Sequence, residues 1–143
     1  MMISTKGRYA LRVMIDLAEH NKGEYIPLKE IADRQDISEK YLESIIAVMS
    51  KAGYLTGMRG KGGGYKLTRL PEQYTVGEIL KLTEGSLAPV ACLEVSPNRC
   101  GRAAECKTLP MWQKFAKLTD EFFEGITLAD LVENPGEQMN YTI

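Results

Sequence analysis

Tyr54-Leu55-Thr56-Gly57-Met58-Arg59-Gly60-Lys61-Gly62-Gly63-Gly64-Tyr65-Lys66-Leu67 is the stretch on which the fold turns. Two short β-prone runs flank a tip of glycines, one arginine and one lysine, which is a hairpin pattern. Glycines at the tip let the backbone take positive φ and approach a partner closely. A phosphate-binding loop would need G-x-x-x-x-G-K-[ST] running into a helix. Here the Ser/Thr is missing and the segment continues into Tyr65-Lys66-Leu67, a second strand. The dinucleotide fingerprint fails for the same reason.

The hairpin follows two helices joined by a tight turn. Leu28 to Arg34 reads as a short helix with Ile31 inward, and the small Ala32 permits a close crossing. Gln35-Asp36-Ile37 makes the turn. Ser38 is a good N-cap for the next helix, which reaches Lys51 or Ala52 before Gly53 stops it. Leu42, Ile45, Ile46, Val48 and Met49 form its apolar side; Glu39, Lys40, Glu43, Ser44 and Ala47 form a small and polar side. In a helix-turn-helix the second helix places its N-terminal residues on base edges in the major groove. Alone, this helix would pass for an ordinary amphipathic surface helix. The basic hairpin after it makes the pair the outline of a winged-helix DNA-binding domain.

Upstream, Ser4 can cap a first helix to about Asn21, with Tyr9, Ala10, Val13, Met14, Leu17 and Ala18 apolar at helical spacing. Arg8, Arg12 and Asp16 are placed on the opposite face. Downstream, a helix is expected from about Thr75 to Glu84. Gly85 to Leu109 shows no sustained period and exceeds the ~12–15 residues a compact domain leaves unstructured without a function. Pro110 suits the first turn of a long helix ending near Gly125. Its Met111, Phe115, Leu118 and Phe122 step by four, three and four, a short coiled-coil-like seam, with Trp112 and Phe123 beside it. That breadth fits a helix that packs on its own domain and on a second copy; burial wholly within one chain is the alternative. Thr127 can cap a last helix from Leu128 to Val132, before a polar tail from Asn134.

The expected fold is mainly α with a small β-hairpin wing: a winged helix-turn-helix domain plus a long C-terminal dimerisation helix. Residues 1–84 would be the DNA-binding domain and 85–109 a cysteine-bearing sensor loop. Residues 110–143 would be the dimerisation helix and tail.

Charge supports this division. The chain as a whole is near neutral, at −1. Residues 1–70 hold 12 Lys/Arg and 8 Asp/Glu, a net of +4, and the remainder hold 6 and 11, a net of −5. The basic half is the one with the helix-turn-helix and hairpin. No apolar run approaches the ~18 residues of a membrane span and no targeting segment is visible, so a cytoplasmic protein is expected. With one histidine, no nucleophile motif and no paired-carboxylate signature, an enzyme is not expected. A winged-helix protein-interaction module without DNA is the remaining alternative class.

Arg59 and Lys61 on the tip are free to reach phosphates or the minor groove, where negative potential favours them. Glu43 facing DNA is unfavourable unless it accepts a hydrogen bond from cytosine N4, in which case it discriminates between sequences. The alternative for Glu43 is a solvated helix residue.

Ser4-Thr5-Lys6-Gly7-Arg8-Tyr9-Ala10, Ser38 to Leu42 and Arg59-Gly60-Lys61-Gly62-Gly63-Gly64-Tyr65 together resemble the Rrf-type, IscR-like family of bacterial winged-helix transcription regulators. The resemblance extends through Val76-Gly77-Glu78-Ile79, the cysteine loop and Ile126-Thr127-Leu128. It implies a homodimer crossed through the long helix, reading a double-stranded operator of two-fold symmetry. Helix three would lie in the major groove and the wing in the minor groove, with Glu43 and Arg59 at DNA-reading positions. The candidate DNA-contact set is Arg8, Ser38, Lys40, Tyr41, Glu43 and Ser44 with Arg59, Gly60 and Lys61.

Cys92, Cys100 and Cys106 are separated by seven and five residues, which is not the C-x-x-C pairing of structural zinc. An odd number of cysteines is a poor disulfide framework in a reducing compartment. Iron–sulfur centres are held mainly by Cys. The resemblance implies that these three hold a two-iron, two-sulfur (2Fe-2S) cluster, though the first gap is longer than in the best-known members. The fourth ligand is open. One branch of the family uses a histidine three residues past the third cysteine, where this chain has Leu109. Another uses an acid near the partner subunit's N-terminus, where this chain has Arg8. His20, the only histidine, reads as a surface residue, and Glu94 and Glu105 are carboxylates near the cysteines. Two readings stand beside the cluster: thiol-based redox sensing, and no cofactor. The family includes CymR-like repressors that respond to cysteine metabolism through a protein partner, and the C-terminal ending resembles that branch slightly.

Overall fold

In the computed structural model, residues 2–133 are described, Ser96 and Arg99 excepted. The polar tail from Asn134, with the ending similar to the CymR-like branch, lies outside the described residues.

Ser4 begins the first helix. Its hydroxyl accepts the Gly7 N–H at 3.1 Å, and α1 runs Thr5–Glu19. Leu28–Gln35 forms α2, and Asp36, left-handed at φ 53°, turns the chain. Asp tolerates that conformation better than most residues, which suits it to this turn. Ser38 then caps α3, Glu39–Lys51, by accepting the Tyr41 N–H at 3.2 Å. Thr75 caps α4, Val76–Glu84, in a reciprocal box with Glu78. The long helix α5 spans Leu109–Glu124, and α6 spans Leu128–Glu133. Thr127 and Asp130 cap α6 reciprocally, at 2.9 and 3.0 Å.

The hairpin pairs β1, Leu55–Met58, with β2, Gly64–Leu67, in antiparallel register Leu55 to Leu67 through Met58 to Gly64. A third backbone segment secures it. Ile26 and Tyr65 exchange both N–H···O bonds at 2.9 Å. Glycine is required at position 64, where φ is 145° and an added Cβ would stand 2.1 Å from the Ile26 carbonyl oxygen.

The main core joins α1, α2 and α3, with Val13, Met14, Ile31, Leu42, Ile45 and Met49 fully buried. Tyr74 closes it from the wing side. Its hydroxyl donates to the Tyr54 carbonyl at 2.7 Å and accepts the N–H groups of Thr68 and Arg69 at 3.0 and 3.1 Å. One buried side chain thus satisfies backbone groups at the base of both wing strands. A smaller cluster of Val76, Leu80, Leu87 and Ile126 seats α4 and the start of the cysteine segment.

One expected placement is corrected. Arg8 and Arg12 are exposed, but Asp16, assigned to the same polar face, is fully buried. Arg34 and Gln35 of α2 lie over it and supply the hydrogen bonds that a buried carboxylate requires.

Candidate nucleic-acid interface and cysteine segment

The first two turns of α3 present the expected polar surface. Ser38, Lys40, Tyr41, Glu43 and Ser44 are all exposed. The Ser44 hydroxyl donates back to the Tyr41 carbonyl at 2.7 Å, and no hydrogen bond or ion pair engages the Lys40 or Glu43 side chain among the described residues. Tyr41 packs edge-on against Tyr9 of α1, with ring centroids 5.8 Å apart. Arg12 in turn lies over the Tyr9 ring at 4.9 Å. The sequence places Tyr9 among α1's apolar positions; in the structure it is half-buried on the flank of that stripe, packed against the core, and spacing alone does not separate flank from centre.

Thr5, Tyr9, Asp36, Ile37, Ser38 and Tyr41 line a shallow cavity of about 360 Å³ between the starts of α1 and α3. Arg8, one turn into α1, is exposed and donates to the Thr5 hydroxyl at 3.0 Å. The fold therefore brings the start of α1, where Arg8 stands, beside the capped end of α3.

Arg59, Gly60 and Lys61 sit at the wing tip, all exposed. Gly60 and Gly62 take φ of 88° and 76°, and the Gly63 N–H closes the tip by donating to the Gly60 carbonyl at 3.0 Å. Met58, 45% exposed, stands beside Arg59 at the end of β1. Below the tip, Arg69 lies over the rings of Tyr54 and Tyr74 at 4.9 and 5.0 Å and donates to Glu78 at 2.8 Å. Burial pushes the Glu78 carboxyl up, but hydrogen bonds from Arg69 and the Thr75 N–H, with the Arg69 charge, outweigh it and hold the group below its usual value.

In the cysteine segment, Ala91–Leu93 forms a 3₁₀ turn that holds Cys92. Cys92 and Cys106 are half-buried and Cys100 is exposed; all three are free thiols. Among the described residues no group of three or more His, Cys, Asp or Glu side chains is gathered as a metal site. The three cysteines are therefore not converged, and neither Glu94 nor Glu105 completes a set with them. Cys106 has a distinct setting just ahead of α5. The Thr108 hydroxyl, 3.4 Å from its sulfur, and the N–H groups of Thr108 and Leu109, with Arg102 nearby, draw its thiol below the usual value. The thiolate is the form that ligates metal.

Along α5, Met111, Phe115, Leu118 and Phe122 are between 40% and 55% exposed, although they make up the apolar seam expected from the sequence. Thr119, on another side of the helix, is buried. No helix among the described residues is long and apolar enough to cross a membrane.

A helix-turn-helix followed by a glycine-tipped, cationic hairpin defines a winged-helix regulator. A family model described as "Rrf2: Iron-dependent Transcriptional regulator" matches residues 3–134. The chain is 40% identical over 134 residues to Protein rrf2 of Nitratidesulfovibrio vulgaris, covering 94% of this chain and 89% of that protein. It is 33% identical over 141 residues to the HTH-type transcriptional regulator IscR of Aliivibrio salmonicida, covering 98% and 83%. Among solved structures it is similar to T. potens IscR, with a TM-score of 0.75 at 39% identity, covering 96% of this chain and 90% of that one. It is also similar to CymR, the global cysteine regulator of B. subtilis, with a TM-score of 0.73 at 35% identity, covering 92% and 96%. The chain belongs to the Rrf2 family of transcription regulators.

Proposed function

We propose that this chain is a homodimeric, sequence-specific DNA-binding regulator whose three-cysteine segment takes up a two-iron, two-sulfur cluster. The observation that carries the DNA role is the pairing of an exposed, Ser38-capped polar start to α3 with an exposed Arg59–Lys61 tip on a hairpin pinned to Ile26. In this reading Lys40, Tyr41, Glu43 and Ser44 face base edges and Ser38 faces a phosphate. Arg8 follows the backbone, and Arg59, Gly60 and Lys61 enter the minor groove. Two copies joined along α5 would address an operator of two-fold symmetry. Residues 1–84 then read DNA, 85–109 sense, and 110–143 dimerise.

The cofactor part rests on the chemistry of the donor set. Three free thiols lie within one segment, and Cys106 is drawn toward its thiolate form. Cys92, Cys100 and Cys106 would hold the cluster, and the segment must close to converge them. A bound cluster would supply a redox-active centre, labile where a fourth protein ligand is lacking. Closing the segment would also bear on Leu87 and its neighbours in the smaller core, and so on α4, whose Glu78 holds Arg69 at the base of the wing.

Full-length protein prepared anaerobically should be coloured and contain iron and acid-labile sulfide, and Cys92→Ala should remove both. Colourless, iron-free protein after anaerobic reconstitution overturns the cluster. Arg59→Ala should weaken duplex binding and reduce the slope of log affinity against log salt by about 1. No duplex binding by the wild type at low salt overturns the DNA role.

A cluster-free regulator is the second reading. The unconverged cysteines and the likeness to CymR favour it. Thiol redox or a protein partner would then supply the signal. Under this reading a variant with all three cysteines changed to serine binds its operator as the wild type does.

A further inference from the structure

The carboxylate buried against the helix-turn-helix is that of Asp16. Its side chain is 0% exposed, and it lies in α1, outside the two helices of the motif. Oδ1 accepts from Arg34 Nη2 at 2.8 Å; Oδ2 accepts from Arg34 Nε at 3.0 Å and from Gln35 Nε2 at 2.9 Å. The guanidinium is thus engaged at two points and the amide at a third. Arg34 and Gln35 are the last two residues of α2, directly before the left-handed Asp36.

Gln35 is held from its other side as well. Its Oε1 accepts from Arg12 Nε at 3.1 Å, and Arg12 Nη2 donates to the Gln35 carbonyl. Arg12 lies on Tyr9, and Tyr9 meets Tyr41 of α3 edge-on. A continuous set of contacts therefore runs from a carboxylate shut off from solvent, through the end of α2, to a side chain on the exposed face of α3.

Apolar packing alone could seat α2 on α1. A charge pair with its carboxylate buried is no efficient source of stability, because desolvation offsets much of the attraction. Its distinctive property is direction: a bidentate guanidinium and a fixed amide accept little variation in angle. The turn between α2 and α3 spans few residues, so the position of Gln35 sets where Ser38 and the start of α3 stand.

We propose that Asp16 is a positioning residue for DNA reading: it never touches the duplex but fixes the angle at which α3 is presented. This rests on the DNA-reading role proposed above. The distinguishing property is specificity. Loss of fold lowers affinity for every duplex in proportion to the folded fraction lost. Loss of angle harms base contacts while leaving phosphate contacts, which carry non-specific binding, largely in place.

The test uses the full chain, a duplex enriched by the wild type from a randomised library, and a scrambled duplex of the same length. Asp16→Asn and Gln35→Ala are compared with the wild type on both. Gln35 is half-buried at the outer end of the set, so Gln35→Ala decides the matter where Asp16→Asn does not fold. The expected result is a loss of about tenfold on the enriched duplex with less than about twofold on the scrambled one, the salt slope unchanged. Equal losses on both duplexes, or wild-type binding to both, would overturn the positioning role while leaving DNA reading intact. Failure of the wild type to enrich any sequence would overturn DNA reading and this role with it.

Discussion

The carboxylate of Glu124, on the last turn of the long helix, accepts a hydrogen bond from the Thr75 hydroxyl at 2.8 Å. Thr75 is also the N-cap of α4, and Glu78, its reciprocal partner, receives Arg69 from the base of the wing. Lys81 holds the second Glu124 oxygen at 3.0 Å and pairs with Asp120. Gly77 leaves the space for this contact, since a Cβ there would stand 2.4 Å from the Glu124 carboxylate. The helix that follows the cysteine segment is thereby joined, through the cap of α4, to the residues that support the hairpin.

Glu124→Ala should loosen this junction. It removes two hydrogen bonds to a carboxylate, one from a hydroxyl and one from an ammonium, at a partly exposed site, so a loss of about 1 kcal/mol is expected. Denaturant titration should show a lower midpoint with an unchanged slope, because the surface exposed on unfolding stays the same. A midpoint equal to that of the wild type would mean that α5 is seated by its apolar contacts alone.

Glu78 makes part of that stability depend on pH. Its carboxyl is held below the ordinary value in the folded chain. A depressed carboxylate contributes stability that is fully present above its unfolded value and is lost as the pH falls through the folded one. The window is therefore acidic, below about pH 4. Thermal midpoints of Glu78→Gln, measured between neutral pH and pH 3, should fall less steeply than those of the wild type. Parallel curves would remove Glu78 from the acid limb.

The features legible in the sequence are those whose causes are local. Ser4, Ser38, Thr75 and Thr127 cap helices through partners three residues away, so a short window contains the whole interaction. Gly60 and Gly62 mark the wing tip through their own backbone needs. What escaped the sequence depends on distant partners. Asp16 lies one turn beyond Arg12 on a helical projection, and nothing within α1 says that Arg34 and Gln35 will cover it. Tyr74 supports both wing strands through contacts up to 20 residues away. The candidate site divides in the same manner: exposure of Lys40, Glu43, Arg59 and Lys61 follows from local pattern, whereas convergence of three cysteines depends on how the intervening chain closes.

The wing's attachment to Ile26 supplies a steric test. Gly64→Ala places a methyl group against the Ile26 backbone at a φ of 145°, a conformation L side chains rarely adopt. The Ile26–Tyr65 pairing must then open, and a cost of about 2–4 kcal/mol is expected. Hydrogen exchange should show faster exchange of the Ile26 and Tyr65 amides, with the α3 amides much less affected. Unchanged protection at both would show that the hairpin holds its place without that pairing.

The seam on α5 tests the assembly. Leu118 is 55% exposed in the single chain, so Leu118→Glu places a charge where the isolated fold has water and should leave the thermal midpoint of a monomer nearly unchanged. Across a two-fold axis the same change sets a charge against the seam of a second copy, with Phe115 and Phe122 one turn away on either side. A dimer held by that seam should lose at least about 2 kcal/mol of association energy, since burying one Leu alone contributes about that much. Sedimentation at micromolar concentration should give a dimer for the wild type and a monomer for Leu118→Glu. A dimer from both would move the interface off this face of α5, and the four exposed apolar side chains would then need another occupant.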